Sequence, residues 1–142
     1  MAEGISLNDE LVSAFIPIST DADIVIARKL SRELATVIGF SGTDLTIIAT
    51  AVSEIARNIL EYAKTGEIKI RKSTREGKKG IQIIASDRGP GIPDIFRAMQ
   101  DGYSTSNGLG LGLSGSMRLM DDFNIVSESG KGTTVTMTKW QT

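Results

Sequence analysis

Residues 87–94 read D-R-G-P-G-I-P-D, and residues 102–113 read G-Y-S-T-S-N-G-L-G-L-G-L. In the first string an acid ends an apolar, strand-like run and is followed at once by Gly89 and Gly91. A carboxylate only accepts hydrogen bonds, and glycines let the backbone approach a flat ring closely. The second string opens a helix-like run with three glycines, which suits a loop whose N–H groups wrap an anion. Together the two strings predict a nucleotide site.

The chain before Asp87 predicts two helices between strands. Residues 81–86 are more continuously apolar than the strand before them, which indicates a central strand that delivers Asp87 at its end. Helix start signals and apolar spacing predict the other elements in this part of the chain: a strand at 11–18, helices at about 21–38 and 43–64, and a strand at 67–75 joined to the next by a hairpin turn at 76–80. Pro17 suggests that the first strand lies at a sheet edge. Residues 1–10 look frayed, and the spacing of Ile26, Leu30, Leu34 and Val37 predicts the buried face of the first helix.

The chain after Asp87 predicts two more helices and a hairpin. The expected elements are a short helix at 93–100, a loop at 102–107, a helix at 109–120, and strands at 123–128 and 133–140. Hairpins with helices inserted between them indicate an α+β two-layer sandwich, a mixed, mostly antiparallel sheet with helices on one face. A length of 142 residues fits a single domain.

The composition excludes several classes of protein. A net charge of −1 offers no electrostatic case for nucleic acid or an anionic membrane, and no apolar run is long enough to span a bilayer. The absence of cysteine removes disulfides and thiolate zinc sites, and the N-terminus lacks the apolar core of a signal peptide, so we expect a cytoplasmic protein. Because histidine is also absent, general base chemistry must fall to Asp, Glu or Lys.

Two polar side chains lie close to the apolar stripe of the long helix. Glu54 and Asn58 are one turn apart, and at about 100° per residue Asn58 falls between Ile47 and Ala51 at the edge of the apolar arc. An acid and an amide beside a buried stripe need a functional reason or a partner. For Glu54 the plain structural alternative is a salt bridge to a neighbouring base.

Two common nucleotide motifs do not fit this chain. Residues 110–115 match G-x-G-x-x-G, but no strand precedes them and no β-α-β unit follows, which argues against dinucleotide binding. The P-loop pattern G-x-x-x-x-G-K-[ST] does not occur.

Four signals in order resemble the Bergerat-fold (GHKL) ATPase superfamily, which includes gyrase B, Hsp90, MutL and the histidine kinases. They are E-x-x-x-N at 54–58, D-x-G-x-G at 87–91, G-x-G-x-G at 108–112 and G-x-G-T at 130–133, and the resemblance covers about residues 20–140. The strings S-E-I-A-R-N and D-R-G-P-G-I-P-D are similar to the bacterial anti-sigma-type serine kinases. The string D-G-Y-S-T-S-N-G-L-G-L-G-L is closest to the RsbT-type kinase of the stressosome.

The resemblance implies a role for each matching position. Asn58 would bind Mg²⁺, Glu54 would act as the catalytic base on the attacking hydroxyl, and Asp87 would accept a hydrogen bond from the adenine amino group of ATP. The remaining nucleotide contacts would come from the D-x-G-x-G loop, the lid and the hairpin, namely Gly89, Gly91, Ile92, Thr105, Ser106, Gly108, Leu109, Gly110, Leu111, Gly112 and Thr133. One departure is the lack of Lys or Arg from 102 to 115, which leaves Arg57, Arg97, Arg118 and Lys131 as candidates for the γ-phosphate contact.

The resemblance also implies a function and partners. We expect an ATP-dependent serine/threonine protein kinase that phosphorylates STAS-domain proteins of a stress-signalling complex. Once released, such a kinase also binds and activates a PP2C-type phosphatase. Two alternatives stay open: an anti-sigma factor that mainly sequesters a sigma factor, and a nucleotide-gated scaffold with negligible phosphotransfer, which the lid without a basic residue favours.

Overall fold

The structure, a computed structural model, describes residues 4–8, 11–91 and 118–141, with side chains from residue 13 onward. The elements in chain order are β1 (Gly4–Asn8), β2 (Leu11–Ile18), α1 (Asp21–Ile38), α2 (Thr43–Tyr62), β3 (Gly66–Arg75), β4 (Lys78–Asp87), β5 (Asp122–Glu128) and β6 (Gly132–Trp140). Arg118 and Leu119 are helical and belong to the end of the helix predicted at 109–120. Residues 109–117 of that prediction and the predicted helix at 93–100 lie outside the described residues.

The strands form one six-stranded sheet in the order β1-β2-β3-β4-β6-β5. Every described pair of neighbours is antiparallel. The α+β fold class predicted from the sequence is therefore confirmed, and β4 lies inside the sheet, as its apolar run indicated. Asp87 is the last residue of β4, at the end of the strand that lies between β3 and β6.

The core lies on one face of the sheet. Alternate side chains of the central strands are buried, among them Ile68, Ile70, Ile83 and Met137. They form a single cluster with the buried stripes of α1 and α2. Because every second residue of a strand points to the same face, this pattern places both helices on one side of the sheet.

The first helix begins and ends where the sequence predicted. The carboxylate of Asp23 accepts hydrogen bonds from the backbone N–H groups of Ser19 and Thr20, at 2.8 and 3.0 Å. These donors, the Ser19 N–H above all, lower the pKa of Asp23 below its ordinary value of 3.8. The predicted buried face is wrong at its last position, because Ile38 is buried and Val37 is 55% exposed. At 3.6 residues per turn, the third and the fourth residue after Leu34, which are Val37 and Ile38, both lie near the buried face of the helix. Packing against the sheet buries Ile38.

Two predictions for the N-terminal region are wrong. Residues 4–8 are not frayed, since they pair with β2 from Gly4 opposite Phe15 to Asn8 opposite Leu11. As a result, β2 is not an edge strand but lies between β1 and β3. Pro17 is tolerated because it lies beyond Phe15, the last residue of β2 that pairs with β1. The missing N–H of Pro17 therefore costs no hydrogen bond between β2 and β1.

Candidate nucleotide-binding site

A cavity opens between α2 and the ends of β4 and β6. It holds about 420 Å³ of space, including its open mouth. Its lining comes from α2, from β4 with the loop that follows, and from β6: Ile55, Asn58, Ile59, Tyr62, Ala85, Asp87, Pro90, Gly91, Thr133 and Val135. Apolar walls with a few polar groups are typical of a site for a flat organic ring.

Asp87 is the charged residue of this lining, and its two carboxylate oxygens differ. Oδ1 accepts hydrogen bonds from the backbone N–H of Gly89, at 2.9 Å, and from that of Thr133, at 3.2 Å. Among the described residues, no hydrogen bond is made to Oδ2. The carboxylate is therefore held in place by one oxygen and offers the other to a ligand that donates a hydrogen bond.

The backbone packs closely around Asp87 because two of the neighbouring residues are glycines. At Gly132, φ is +115°, and a Cβ there would overlap the backbone carbonyl of Asp87. At Gly89, a Cβ would lie 2.6 Å from that of Ala63 at the end of α2. Any larger residue at these positions would displace the loop after β4 or the start of β6.

The turn between β5 and β6 holds the loop that follows Asp87. The N–H of Gly130 donates to the carbonyl of Pro90 at 2.8 Å. Gly91 has φ +80°, and a Cβ there would lie 2.5 Å from the carbonyl oxygen of Glu128. The D-x-G-x-G string is thus clamped between α2 on one side and the final hairpin on the other.

Asn58 contributes an unsatisfied polar group. Its Nδ2 atom is buried and has no hydrogen-bond partner among the described residues. The side chain lines the cavity, so a ligand there would supply the missing partner. Rotating the amide by 180° exchanges Oδ1 and Nδ2 with little change in shape, so Asn58 can also present an oxygen to a cation.

Glu54 lies one turn before Asn58 but does not line the cavity. Its Oε1 forms an ion pair of 3.0 Å with Arg57, and the Glu54 side chain is only 15% exposed. Glu54 therefore does form the salt bridge to a neighbouring base that was the structural alternative to a catalytic role. Among the candidate cations, Arg57 is engaged by Glu54, and Lys131 pairs with Glu128 at 3.3 Å.

The structure brings together five of the residues that the sequence singled out: Asn58, Asp87, Gly91 and Thr133 line the cavity, and the backbone N–H of Gly89 donates to Asp87. The predicted site residues Ile92, Thr105, Ser106, Gly108, Leu109, Gly110, Leu111 and Gly112, and the candidate cation Arg97, lie outside the described residues. The sequence analysis did not assign to the site the other lining residues, namely Ile55, Ile59, Tyr62, Ala85, Pro90 and Val135. Tyr62 follows Asn58 by one turn of α2, and that spacing could have revealed it.

The described residues contain neither a cluster of acidic metal ligands nor a membrane-spanning helix. Between residues 13 and 91 and between 118 and 141, no three acidic side chains cluster as a metal site. A Mg²⁺ ion bound mainly by nucleotide phosphates and water needs no such cluster. In the same part of the chain, neither helix is long and apolar enough to cross a membrane.

Comparison with known proteins agrees with this geometry. Residues 43–142 match the histidine kinase-, DNA gyrase B- and HSP90-like ATPase family. The serine/threonine-protein kinase RsbT of Bacillus subtilis is 50% identical over 134 residues, which is 94% of this chain and 98% of that protein. An anti-sigma F factor of Caldanaerobacter subterraneus is 37% identical over 103 residues, 68% of this chain and 71% of that protein.

A solved structure shares the fold. The RsbU and RsbW domains of a Mycobacterium tuberculosis protein superpose with a TM-score of 0.57 at 22% sequence identity, covering 90% of this chain and 33% of that one. At this level of identity the likeness concerns the fold alone.

The fold and the cavity thus define an ATP-binding protein, and the chain belongs to the histidine kinase-, DNA gyrase B- and HSP90-like ATPase family. Within that family it falls in the branch of the RsbT-type and anti-sigma-factor kinases. It is an ATP-dependent serine/threonine protein kinase.

Proposed function

We propose that this kinase transfers the γ-phosphate of ATP to a serine or threonine of STAS-domain proteins in a bacterial stress-signalling partner switch. Once released from that complex, it binds and activates a PP2C-type phosphatase. The observation that carries this proposal is 50% identity with the RsbT kinase over 94% of the chain. ATP supply places such a reaction in the cytoplasm.

In the proposed site the adenine ring lies in the cavity between α2 and β6. Asp87 Oδ2 accepts a hydrogen bond from the 6-amino group, because Oδ1 is already held by two backbone N–H groups. The apolar side chains of Ile55, Ile59 and Val135 cover the faces of the ring. Burial of the adenine ring in this cavity would favour binding through the apolar area removed from water, while Asp87 Oδ2 would fix the orientation of the ring.

Asn58 fits a Mg²⁺ ion bound with the phosphates. Its buried Nδ2 has no hydrogen-bond partner among the described residues, and the side chain lines the same cavity. A neutral amide oxygen suits a hard cation that already binds phosphate oxygens. The ion would neutralise charge on the transferring phosphoryl group.

Glu54 is the proposed base for the hydroxyl of the substrate. It lies one turn of α2 before Asn58, so it is on the phosphate side of the proposed nucleotide. Arg57 holds Oε1 at 3.0 Å and thereby orients the carboxylate, while Oε2 is left to accept the proton of the incoming serine or threonine. A base on this side lies in reach of a hydroxyl that attacks the γ-phosphate.

Two alternatives have specific support. The similarity to an anti-sigma F factor, 37% over 103 residues, favours sequestration of a sigma factor. The ion pair between Glu54 and Arg57, together with the absence of Glu54 from the cavity lining, favours a nucleotide-gated switch with little transfer.

The test uses purified protein, Mg²⁺ and γ-labelled ATP with a panel of STAS-domain proteins. We expect label on one of these domains with the wild type and a loss of at least about 100-fold in rate with Glu54→Gln. Glu33→Gln, a matched change on the exposed side of α1, should keep the wild-type rate. ATP binding, measured by calorimetry, should be the same for all three proteins.

Each contrary outcome has one meaning. Undiminished transfer by Glu54→Gln would show that another group is the base. If ATP binds but no label moves to any domain, the kinase is not directed at STAS proteins. Pull-downs with sigma factors and PP2C-type phosphatases then decide between sequestration and switching.

A further inference from the structure

The face of the sheet that is turned away from the helices carries a wide groove near the end of the β3–β4 hairpin. The groove holds about 730 Å³ of space, including its open mouth. Because α1 and α2 pack on the other face, the described residues leave this groove open. The nucleotide cavity lies on the helix side of the sheet, so the groove is a separate feature of the molecule.

Small polar side chains form the floor of the groove. Cross-strand pairing places Gln82 beside Thr138, and Thr138 beside Asp122. Ser73 on β3 and Thr136 on β6 also line the groove. Residues that pair across neighbouring strands point to the same face of a sheet, so these side chains belong to one surface. A floor made of such short side chains leaves room for the side chains of another molecule.

Trp140 forms one wall of the groove and is fixed in place. Its indole ring lies on Gly80, where a Cβ would come within 2.5 Å of the ring. The indole N–H donates to Asp122 Oδ2 at 2.7 Å, and the guanidinium of Arg75 lies 4.4 Å from the ring centroid. Arg75 also forms an ion pair of 3.4 Å with Asp122. The acid in the groove lining is therefore already paired with a cation.

Two further cations at the groove have no acidic partner among the described residues. Nε of Arg71 donates to the side-chain oxygen of Gln82 at 2.7 Å, which holds the guanidinium beside the groove floor. Lys78 lies opposite Arg75 across the hairpin and forms no ion pair within the described part of the chain. Since cross-strand neighbours share a face, both cations lie on the side of the sheet that carries the groove.

The charge of this hairpin differs from the charge of the whole chain. Residues 66–79 contain six Lys or Arg and two Glu, a net charge of +4, whereas the whole chain has a net charge of −1. A positive surface on an otherwise acidic protein attracts acidic groups locally. The negative charge of the remaining chain works against binding of a long polyanion such as nucleic acid.

We propose that this groove binds an acidic segment of a protein partner. Carboxylates of that segment pair with Arg71 and Lys78, and its smaller side chains lie over the polar floor against the wall formed by Trp140. Charged pairs of this kind give orientation and fast association. Because the groove and the nucleotide cavity lie on opposite faces of the sheet, the partner can stay bound while nucleotides exchange. The inference does not depend on which protein is phosphorylated.

The experiment locates an acidic probe on the protein. The probe is a short peptide that alternates Glu with Ala, titrated into isotopically labelled wild-type protein while the amide resonances are recorded. We expect saturable shifts at Ser73, Gln82, Thr136 and Thr138, and no comparable shifts along α1. Raising the salt concentration from about 50 to about 300 mM should weaken binding about tenfold. The same peptide with Gln in place of Glu should bind at least about tenfold more weakly.

Charge reversal at matched positions tests the two cations. Arg71→Glu together with Lys78→Glu should weaken binding of the acidic peptide at least about tenfold. Lys29→Glu together with Arg32→Glu makes the same change in net charge at exposed positions of α1 and should weaken binding by less than about twofold. Arg75 is left unchanged because it packs on the indole ring. Both double variants should melt and bind ATP like the wild type.

Four results would overturn the proposal. The first is that the acidic peptide does not bind, or that it shifts the amides of α1 as strongly as those of the groove. The second is an equal loss of binding in the two double variants, which would show that binding follows net charge alone. Tighter binding of an oligothymidylate than of the peptide would assign the cations to nucleic acid. A dimer in gel filtration that the variant with Arg71→Glu and Lys78→Glu no longer forms would assign the groove to a second copy of this chain.

Discussion

Replacing Asp87 with asparagine separates nucleotide recognition from folding. Asparagine keeps an oxygen at the position of Oδ1, where the N–H groups of Gly89 and Thr133 donate at 2.9 and 3.2 Å. At the position of Oδ2 it places an NH₂ group instead of an acceptor. A donor would then face the donor of the adenine amino group, so binding should fail although the fold is kept.

The magnitude follows from these contacts. A hydrogen bond to a charged group contributes about 1.5–3 kcal/mol, and facing two donors leaves both unsatisfied, so we expect Asp87→Asn to lose about 3 kcal/mol of ATP affinity, roughly 100-fold in Kd. The hydrogen bonds from the N–H groups of Gly89 and Thr133 change from charge-assisted to neutral. We expect this to lower the free energy of unfolding by about 1 kcal/mol and the melting temperature by about 4 °C. Asp87→Ala removes both acceptors and should cost about 2–3 kcal/mol of stability.

The assay is calorimetric titration with ATP, beside thermal melts of wild type, Asp87→Asn and Asp87→Ala. Ser86→Ala serves as the control, because this neighbour points to the opposite face of the sheet. An Asp87→Asn protein that binds ATP within threefold of the wild type would refute the assignment of Oδ2 as an acceptor. A loss of more than about 10 °C by Asp87→Asn would show that its role is mainly structural.

Asn58→Ala should raise the Kd for ATP in the presence of Mg²⁺ about tenfold and leave the Kd in EDTA unchanged, since this side chain, whose Nδ2 has no partner in the described part of the chain, is the proposed metal ligand; equal loss in both buffers would contradict this. Gly132→Ala should destabilise the fold by roughly 3 kcal/mol, because its Cβ would overlap the carbonyl of Asp87. The control Gly130→Ala, at φ +80° with open space around its Cβ, should cost only about 1 kcal/mol in denaturant unfolding. Asp23→Ala should cost about 1 kcal/mol at pH 7. Since the folded pKa of this carboxyl is lowered, its contribution is present above the ordinary 3.8 and disappears as pH falls through the lowered value, so the two melting temperatures should converge below that pH.

Local signals predicted much of the secondary structure. Thr20 and Asp23 mark the start of α1, and Gly39, with φ of +123°, marks its end. A hairpin joins β3 to β4 as predicted, but its turn is shorter than the expected 76–80 and consists of Glu76 and Gly77. Both residues have positive φ, as a type I′ turn requires. These features depend on a few neighbouring residues, so their sequence suffices to indicate them.

Predictions that needed a partner strand were the ones that failed. The short strand Gly4–Asn8 forms through its antiparallel pairing with β2. The position of β2 inside the sheet follows from that pairing, which Pro17 could not reveal. Val37 and Ile38 are equally apolar neighbours, and only contact with the sheet decided which of them is buried.

The candidate site shows the same division. From sequence alone, the types and order of Asn58, Asp87, Gly91 and Thr133 indicated a nucleotide site. Only the tertiary structure decided that these residues, from α2, from β4 with the loop that follows it, and from β6, line one cavity. The physical reason is range: capping, turns and helical spacing act over a few residues, whereas Asp87 and Thr133 are 46 positions apart and meet because antiparallel pairing of β4 with β6 brings them level.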